Sequence, residues 1–171
     1  MKKIKRCLKE WNATLEALGK GKQTILIRNY KTNIQKFLLY PTISYTLNDE
    51  YLDSFQDKYL DFVRDNALPD KKDDKVLIKY YATVEEIIEK PISRIPSANN
   101  YIWTRDHVKD YITGKIAFVW MLRVYKLSVP YWAEPTPGAL RFVNLKEEVS
   151  LDGIEPVLGD YEFEKVVAAL K

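Results

Sequence analysis

Apolar residues fall at Ile4, Cys7, Leu8, Trp11, Leu15 and Leu18. That three-and-four spacing is one helical stripe, so the front of the chain is expected to be an amphipathic helix. Gly19 and Gly21 supply its stop. The pattern then switches to alternation over residues 23–29, with Ile25 and Ile27 against Thr24, Leu26 and Arg28. A polar, turn-like stretch leads to a second strand at 36–40, ended by Pro41. The two strands read as a hairpin.

Leu52, Phe55, Tyr59, Phe62 and Val63 mark a second amphipathic helix over roughly residues 49–66. A solvated turn at 68–74 precedes a strand at 75–82, which can continue through Ile88 with a bulge. Residues 92–100 follow Pro91, hold Pro96 and an Asn pair, and read as a loop. Thr104 is a good N-cap for a short helix to Ile112, ended by Gly114. The strongest strand signal runs from 115 to 127. Ile116, Phe118, Trp120, Leu122 and Val124 face one way, and Ala117, Val119, Met121, Arg123 and Tyr125 the other. Both faces are largely apolar, which predicts a central strand covered on both sides. A proline-rich loop at 130–138, a last strand at 139–145 and a final helix capped by Asp160 complete the chain. In that helix Phe163, Val166, Val167 and Leu170 form the docking face. The expected fold is α+β: a single domain, residues 1–171, with a mixed, curved or barrel-like sheet flanked by N-terminal, middle and C-terminal helices.

An apolar fraction of 46% with 30% charged residues is that of a globular chain, not a disordered one. The apolar run at 116–122 is far short of the roughly 18 residues a membrane span needs. Lys9, Glu10 and Asn12 break the stretch a signal peptide would use, so no membrane partner and a cytoplasmic location are expected. A single cysteine, Cys7, excludes an intramolecular disulfide, and its place on the apolar stripe makes it a buried thiol. One Cys and one His, His107, cannot build a Cys/His zinc site, and no cofactor is implied.

Charge is polarised along the chain. Residues 1–36 hold ten Lys/Arg against two Glu, a balance of +8; residues 49–74 and 147–171 each balance to −5. A basic front can attract phosphate backbones, or it can match the acidic segments internally.

Gly19-Lys20-Gly21-Lys22 has neither the spacing nor the Ser/Thr of a phosphate loop and follows a predicted helix. A nuclease of the P-D…(D/E)-x-K type would need acids and a lysine on adjacent strands. Pro69-Asp70 is present, but Glu89-Lys90 is wrongly spaced. Arg28 and Arg123 stand out more, because each continues an apolar strand. Such an arginine is either paired with a carboxylate (Glu10, Glu85 or Glu86) or acts as an anion clamp. Trp103 and Trp132 fall in predicted loops, where a ring either packs the loop or stacks a nucleobase.

Lys9-Glu10-Trp11, Gly21-x-Gln23-x-x-Leu26-x-Arg28 and the run from Phe37 to Thr42 resemble the prokaryotic domain-of-unknown-function family 1802. So do Ile102-Trp103-Thr104, the stretch from Leu122 to Leu127 and the tail from Glu155 to Phe163. The family has no assigned activity, so the resemblance implies a relative and no mechanism. The chain departs from the family pattern at Asn29-Tyr30-Lys31, at Ile43-Ser44-Tyr45 and at Phe142, where a basic turn, a histidine-bearing stretch and a Trp are usual. A looser similarity links the strand from Val76 to Ala82, a short helix, Gly114 and the long strand ending near Pro130 to PUA-like domains of the ASCH and EVE type. That similarity implies a small barrel that binds RNA or modified bases.

Together these features point to RNA or DNA, or a nucleotide-like anion, as the ligand of a basic and aromatic cleft built from Glu10, Lys22, Arg28, Trp103, Arg123 and Trp132. The alternatives are a metal-dependent nuclease or phosphoesterase using Glu10, and a protein-interaction module. Whether the chain is an enzyme, and its oligomeric state, are left open by the sequence.

Overall fold

The expected first helix is a strand for most of its length. In the computed structural model, which describes residues 2–171, strand β1 (Lys3–Trp11) passes directly into helix α1 (Asn12–Gly19). Two local features imitate helical spacing. A register shift between Ile4 and Arg6 puts Ile4 in the same apolar cluster as Cys7, three residues on. At the other end, the turn into α1 carries Trp11 onto the cluster that holds Leu8. Cys7 and Leu8 point to opposite faces and both are buried, so no polar alternation betrays the strand.

Strand β2 (Ile25–Arg28) and β3 (Lys36–Thr42) do not form the predicted hairpin. β3 lies parallel to β1, and α1 and β2 fill the crossover such a pair requires. Pro41 does not end β3; it sits opposite Glu10. There β3 has β1 as its neighbour, because its pairing to the next strand covers only Lys36 to Leu38. An absent N–H is tolerated at such a one-sided position.

The predicted middle helix is broken into 3-10 turns and a short helix α2 (Leu60–Asp65). The break is tertiary in origin. Phe55 bridges to Trp103, and the Gln56 amide donates to the carbonyls of Ala98, Tyr101 and Trp103 at 2.6–2.9 Å. Strand β4 (Lys71–Lys72) then turns through Asp73, at φ 57°, into β5 (Lys75–Pro91). β5 continues past Ile88 with a register shift between Val84 and Glu86. After two 3-10 turns, Thr104 caps helix α3 (Arg105–Tyr111) by accepting the His107 N–H, as the sequence predicts.

Strand β6 (Ile116–Ala133) is longer than expected and takes the first residues of the proline-rich segment. It pairs antiparallel with β5 from one end to the other and with β2 on its far side. Ala117, Val119, Trp120, Met121 and Leu122 are all essentially inaccessible, the two-sided burial the pattern required. Each large apolar side chain buried this way stabilises the fold by about 1.5–3 kcal/mol. Strand β7 (Phe142–Ser150) pairs with β1, and β8 (Glu155–Pro156) with β6. Helix α4 (Asp160–Leu170) docks through Phe163 and Leu170, with Val166 and Val167 beside them.

The mixed sheet with flanking helices is as expected, but the barrel-like or strongly curved sheet is not. The main strand order is β2-β6-β5-β3-β1-β7, a path with two ends, and the sheet is neither closed into a barrel nor strongly curled. Closure would need a ladder between β2 and β7. β2 is four residues long and pairs with β6, whereas β7 exposes Lys146, Glu147 and Glu148, charges of the kind that guard an open edge.

Candidate functional site

Trp11, Arg28 and Thr42 are each the last residue of a strand, β1, β2 and β3 in turn. The three carboxyl ends meet at one cleft of about 210 Å³, closed by Trp103, by His107 and Tyr111 of α3, by Tyr30 and by Arg141. The volume is below the 300–1,000 Å³ usual for a drug-sized ligand and suits one small planar group.

At its base, the Arg28 Nη2 donates to the Glu10 carboxylate, and both side chains are about nine-tenths buried. The other Glu10 oxygen accepts the Trp11 N–H at 2.8 Å. Arg28 Nη1 reaches the Ile27 carbonyl at 3.3 Å, and the Tyr111 ring lies 5.9 Å from the guanidinium carbon. Two of the five guanidinium N–H groups are thereby occupied. Trp11 is stacked on Tyr45 at 4.8 Å and tilted against His107 at 5.4 Å. Trp103 is held by its Nε1–H, which donates to Thr14 Oγ1 at 3.2 Å.

The cleft is lined by three cations, Lys9, Arg28 and Arg141, against one carboxylate, Glu10. No ion pair among the described residues involves Lys9 or Arg141. The Lys9 ammonium donates to the Gly138 carbonyl at 3.1 Å, and burial lowers its pKa. Arg141 lies over the Tyr30 ring. Burial raises the Tyr30 phenol pKa, with Arg28 acting against it most strongly. Burial lowers the His107 pKa, which Asp110 partly opposes.

Of the six residues singled out in the sequence, Glu10, Arg28 and Trp103 come together here. Lys22 lies elsewhere, exposed, with its ammonium 5.1 Å over Phe62. Arg123 is five residues beyond Phe118, the cross-strand neighbour of Arg28, and so about 17 Å further along β6. Its Nη2 donates to the Leu158 carbonyl and the Asp160 carboxylate, both at 2.9 Å, and its guanidinium lies 4.8 Å over Phe163. Arg123 thus fastens α4, and the two arginines do not share a cleft. Trp132, half-buried on β6, lines a separate groove of about 540 Å³ with Tyr131 and Lys146.

Lys9, Tyr30, His107, Tyr111 and Arg141 escaped the sequence reading. His107 carried one usable signal: it is the sole histidine, in the first turn of a helix whose cap was legible, four residues after Trp103. Arg141 carried none, being one arginine in an ordinary apolar stretch.

A family model described as a domain of unknown function (DUF1802) matches residues 7–169. No curated protein matches the chain. In fold the chain is similar to the crystal structure of ASCH from Zymomonas mobilis, with 14% sequence identity, 97% of this chain and 95% of that chain covered, and a TM-score of 0.48. A mutant form of the same protein is similar at 13% identity, over 97% of this chain and 98% of that chain, with a TM-score of 0.48. This is a likeness of chain path alone. No helix among the described residues is long and apolar enough to cross a membrane.

Proposed function

We propose that this chain, which belongs to the DUF1802 family of domains of unknown function, binds nucleic acid or a nucleotide-like anion in the cleft at the ends of β1, β2 and β3. The observation that carries the reading is the composition of that cleft: three cations against one carboxylate, around a wall of Trp11, Tyr30, Trp103 and Tyr111. Cations attract phosphate, and aromatic faces stack a base regardless of its identity, at about 1–3 kcal/mol per base. In this reading Lys9 and Arg141 meet the phosphate. Arg28, oriented by Glu10, offers its remaining N–H groups to the base or sugar.

A metal-dependent hydrolase would need more acid than the cleft provides. Glu10 is its one carboxylate and is held by Arg28. Among the described residues no group of three or more His, Cys, Asp or Glu could hold a metal ion. The test of the binding reading is fluorescence anisotropy with labelled RNA and DNA hexamers at low salt. Saturable binding that weakens as salt rises supports it, and absence of binding to both refutes it.

A further inference from the structure

The cleft continues past Arg141. Lys9, Thr42 and Arg141 form its outer wall and are at the same time part of the lining of a second, larger groove of about 590 Å³. That groove is bounded by the end of β3 from Tyr40, by Lys71 and Asp74 of the β4–β5 hairpin, and by the segment before β7 with the exposed Leu140. Its charges are again unbalanced: Lys9, Lys71 and Arg141 against Asp74. Lys71 is exposed and no ion pair among the described residues involves it.

Two cavities of different character therefore share a cationic threshold. The first is small and aromatic and suits one planar group. The second is nearly three times larger and more open, and beyond the threshold it adds one cation, Lys71, beside one carboxylate, Asp74. A free mononucleotide would engage the first cavity and the threshold but leave Lys71 idle. A duplex would have to unpair and flip a base out to fill the cleft, at an unpairing cost that a single strand does not bear.

We infer that the ligand is a single strand of at least two nucleotides. One base enters the aromatic cleft, the intervening phosphate passes over Lys9 and Arg141, and the neighbouring nucleotide lies in the second groove beside Lys71. The inference rests on the binding reading above and narrows its ligand to a strand.

The test compares a mononucleotide with single-stranded hexamers of the same base by isothermal titration, using the intact chain and two exposed-site variants. The hexamer should bind about ten-fold more tightly, the gain expected of a second nucleotide whose phosphate meets Lys71 and whose body covers the groove wall. Lys71→Ala should weaken the hexamer about three-fold, leave the mononucleotide unchanged and flatten the log–log salt slope by about 0.7, the contribution of one phosphate contact on a single strand. Asp74→Asn should tighten the hexamer, an effect that damage to the fold would not produce. If the mononucleotide binds as tightly as the hexamer, or if Lys71→Ala weakens both equally, the strand inference is overturned while the cleft reading stands. If neither ligand binds, the cleft reading itself falls.

Discussion

The guanidinium of Arg141 lies over the ring of Tyr30, its central carbon 3.9 Å from the ring centroid. Tyr30 follows β2 and Arg141 precedes β7, the two ends of the main strand order. A side-chain contact, not a hydrogen-bonded ladder, is thus what links the regions beyond the two sheet edges, and it does so at the rim of the cleft. With the exposed Arg141 over a half-buried ring at the rim, the contact contributes about 1 kcal/mol.

Arg141→Ala should therefore cost little stability, about 1 kcal/mol by urea denaturation. It should weaken oligonucleotide binding about ten-fold and flatten the salt dependence. Loss of binding with unchanged salt slope would mean that Arg141 shapes the rim without touching phosphate.

Glu10→Gln should do the opposite on both counts. It leaves Arg28 buried without its counter-charge, which destabilises by about 3 kcal/mol, the lower end for a broken buried pair because the cleft admits water. It also removes the one carboxylate that the described residues bring to the cleft. Denaturation should show the loss of stability while anisotropy shows tighter oligonucleotide binding. A variant that loses both stability and binding would mean that Glu10 acts by orienting Arg28 and not by its charge toward the ligand.

His107 should make stability depend on pH. Burial lowers its pKa from the ordinary 6.5, so the unfolded chain binds the proton first as pH falls. Its contribution is complete above about pH 6.5 and is lost as pH drops from there through the folded-state value. Urea midpoints measured from pH 8 to pH 5 should fall less steeply in His107→Gln than in the parent chain. Parallel curves would show that the imidazole is not the group responsible.

Cys7 should be chemically silent in the native protein. Burial pushes its thiol pKa to about 12, leaving almost no thiolate at neutral pH. Ellman's reagent should not label it until the chain is unfolded by urea, when one equivalent should react. Labelling of the folded chain at the rate of a free thiol would contradict the packing of β1.

How much of this was written in the sequence depends on the range of the interaction that decides each element. β6 was legible because burial on both faces leaves an unbroken apolar run, and α3 because Thr104 caps it locally. β1 was not, because a register shift near Ile4 and the turn at Trp11 reproduce helical spacing in a strand. The middle segment carries a helical stripe, but bonds from Phe55 and Gln56 to residues near Trp103 break it, and no local pattern announces such partners. The pairing of β2 and β3 failed for the same reason: each chose a distant strand. At the site, a strand arginine needs a carboxylate, so Glu10 could be named with Glu85 and Glu86, but only the fold chose it for Arg28. Asp160, read as a helix cap, proved to be the partner of Arg123, which required knowing that α4 lies over β6. Arg141 gains meaning only from its distance to Tyr30, and that distance is a property of the completed fold.

The cleft draws on residues from Lys9 to Arg141, through a parallel pair that cannot form until its crossover has been made. During synthesis, then, the first strands can leave the ribosome and begin to pair, yet no complete cleft exists until residue 141 has emerged.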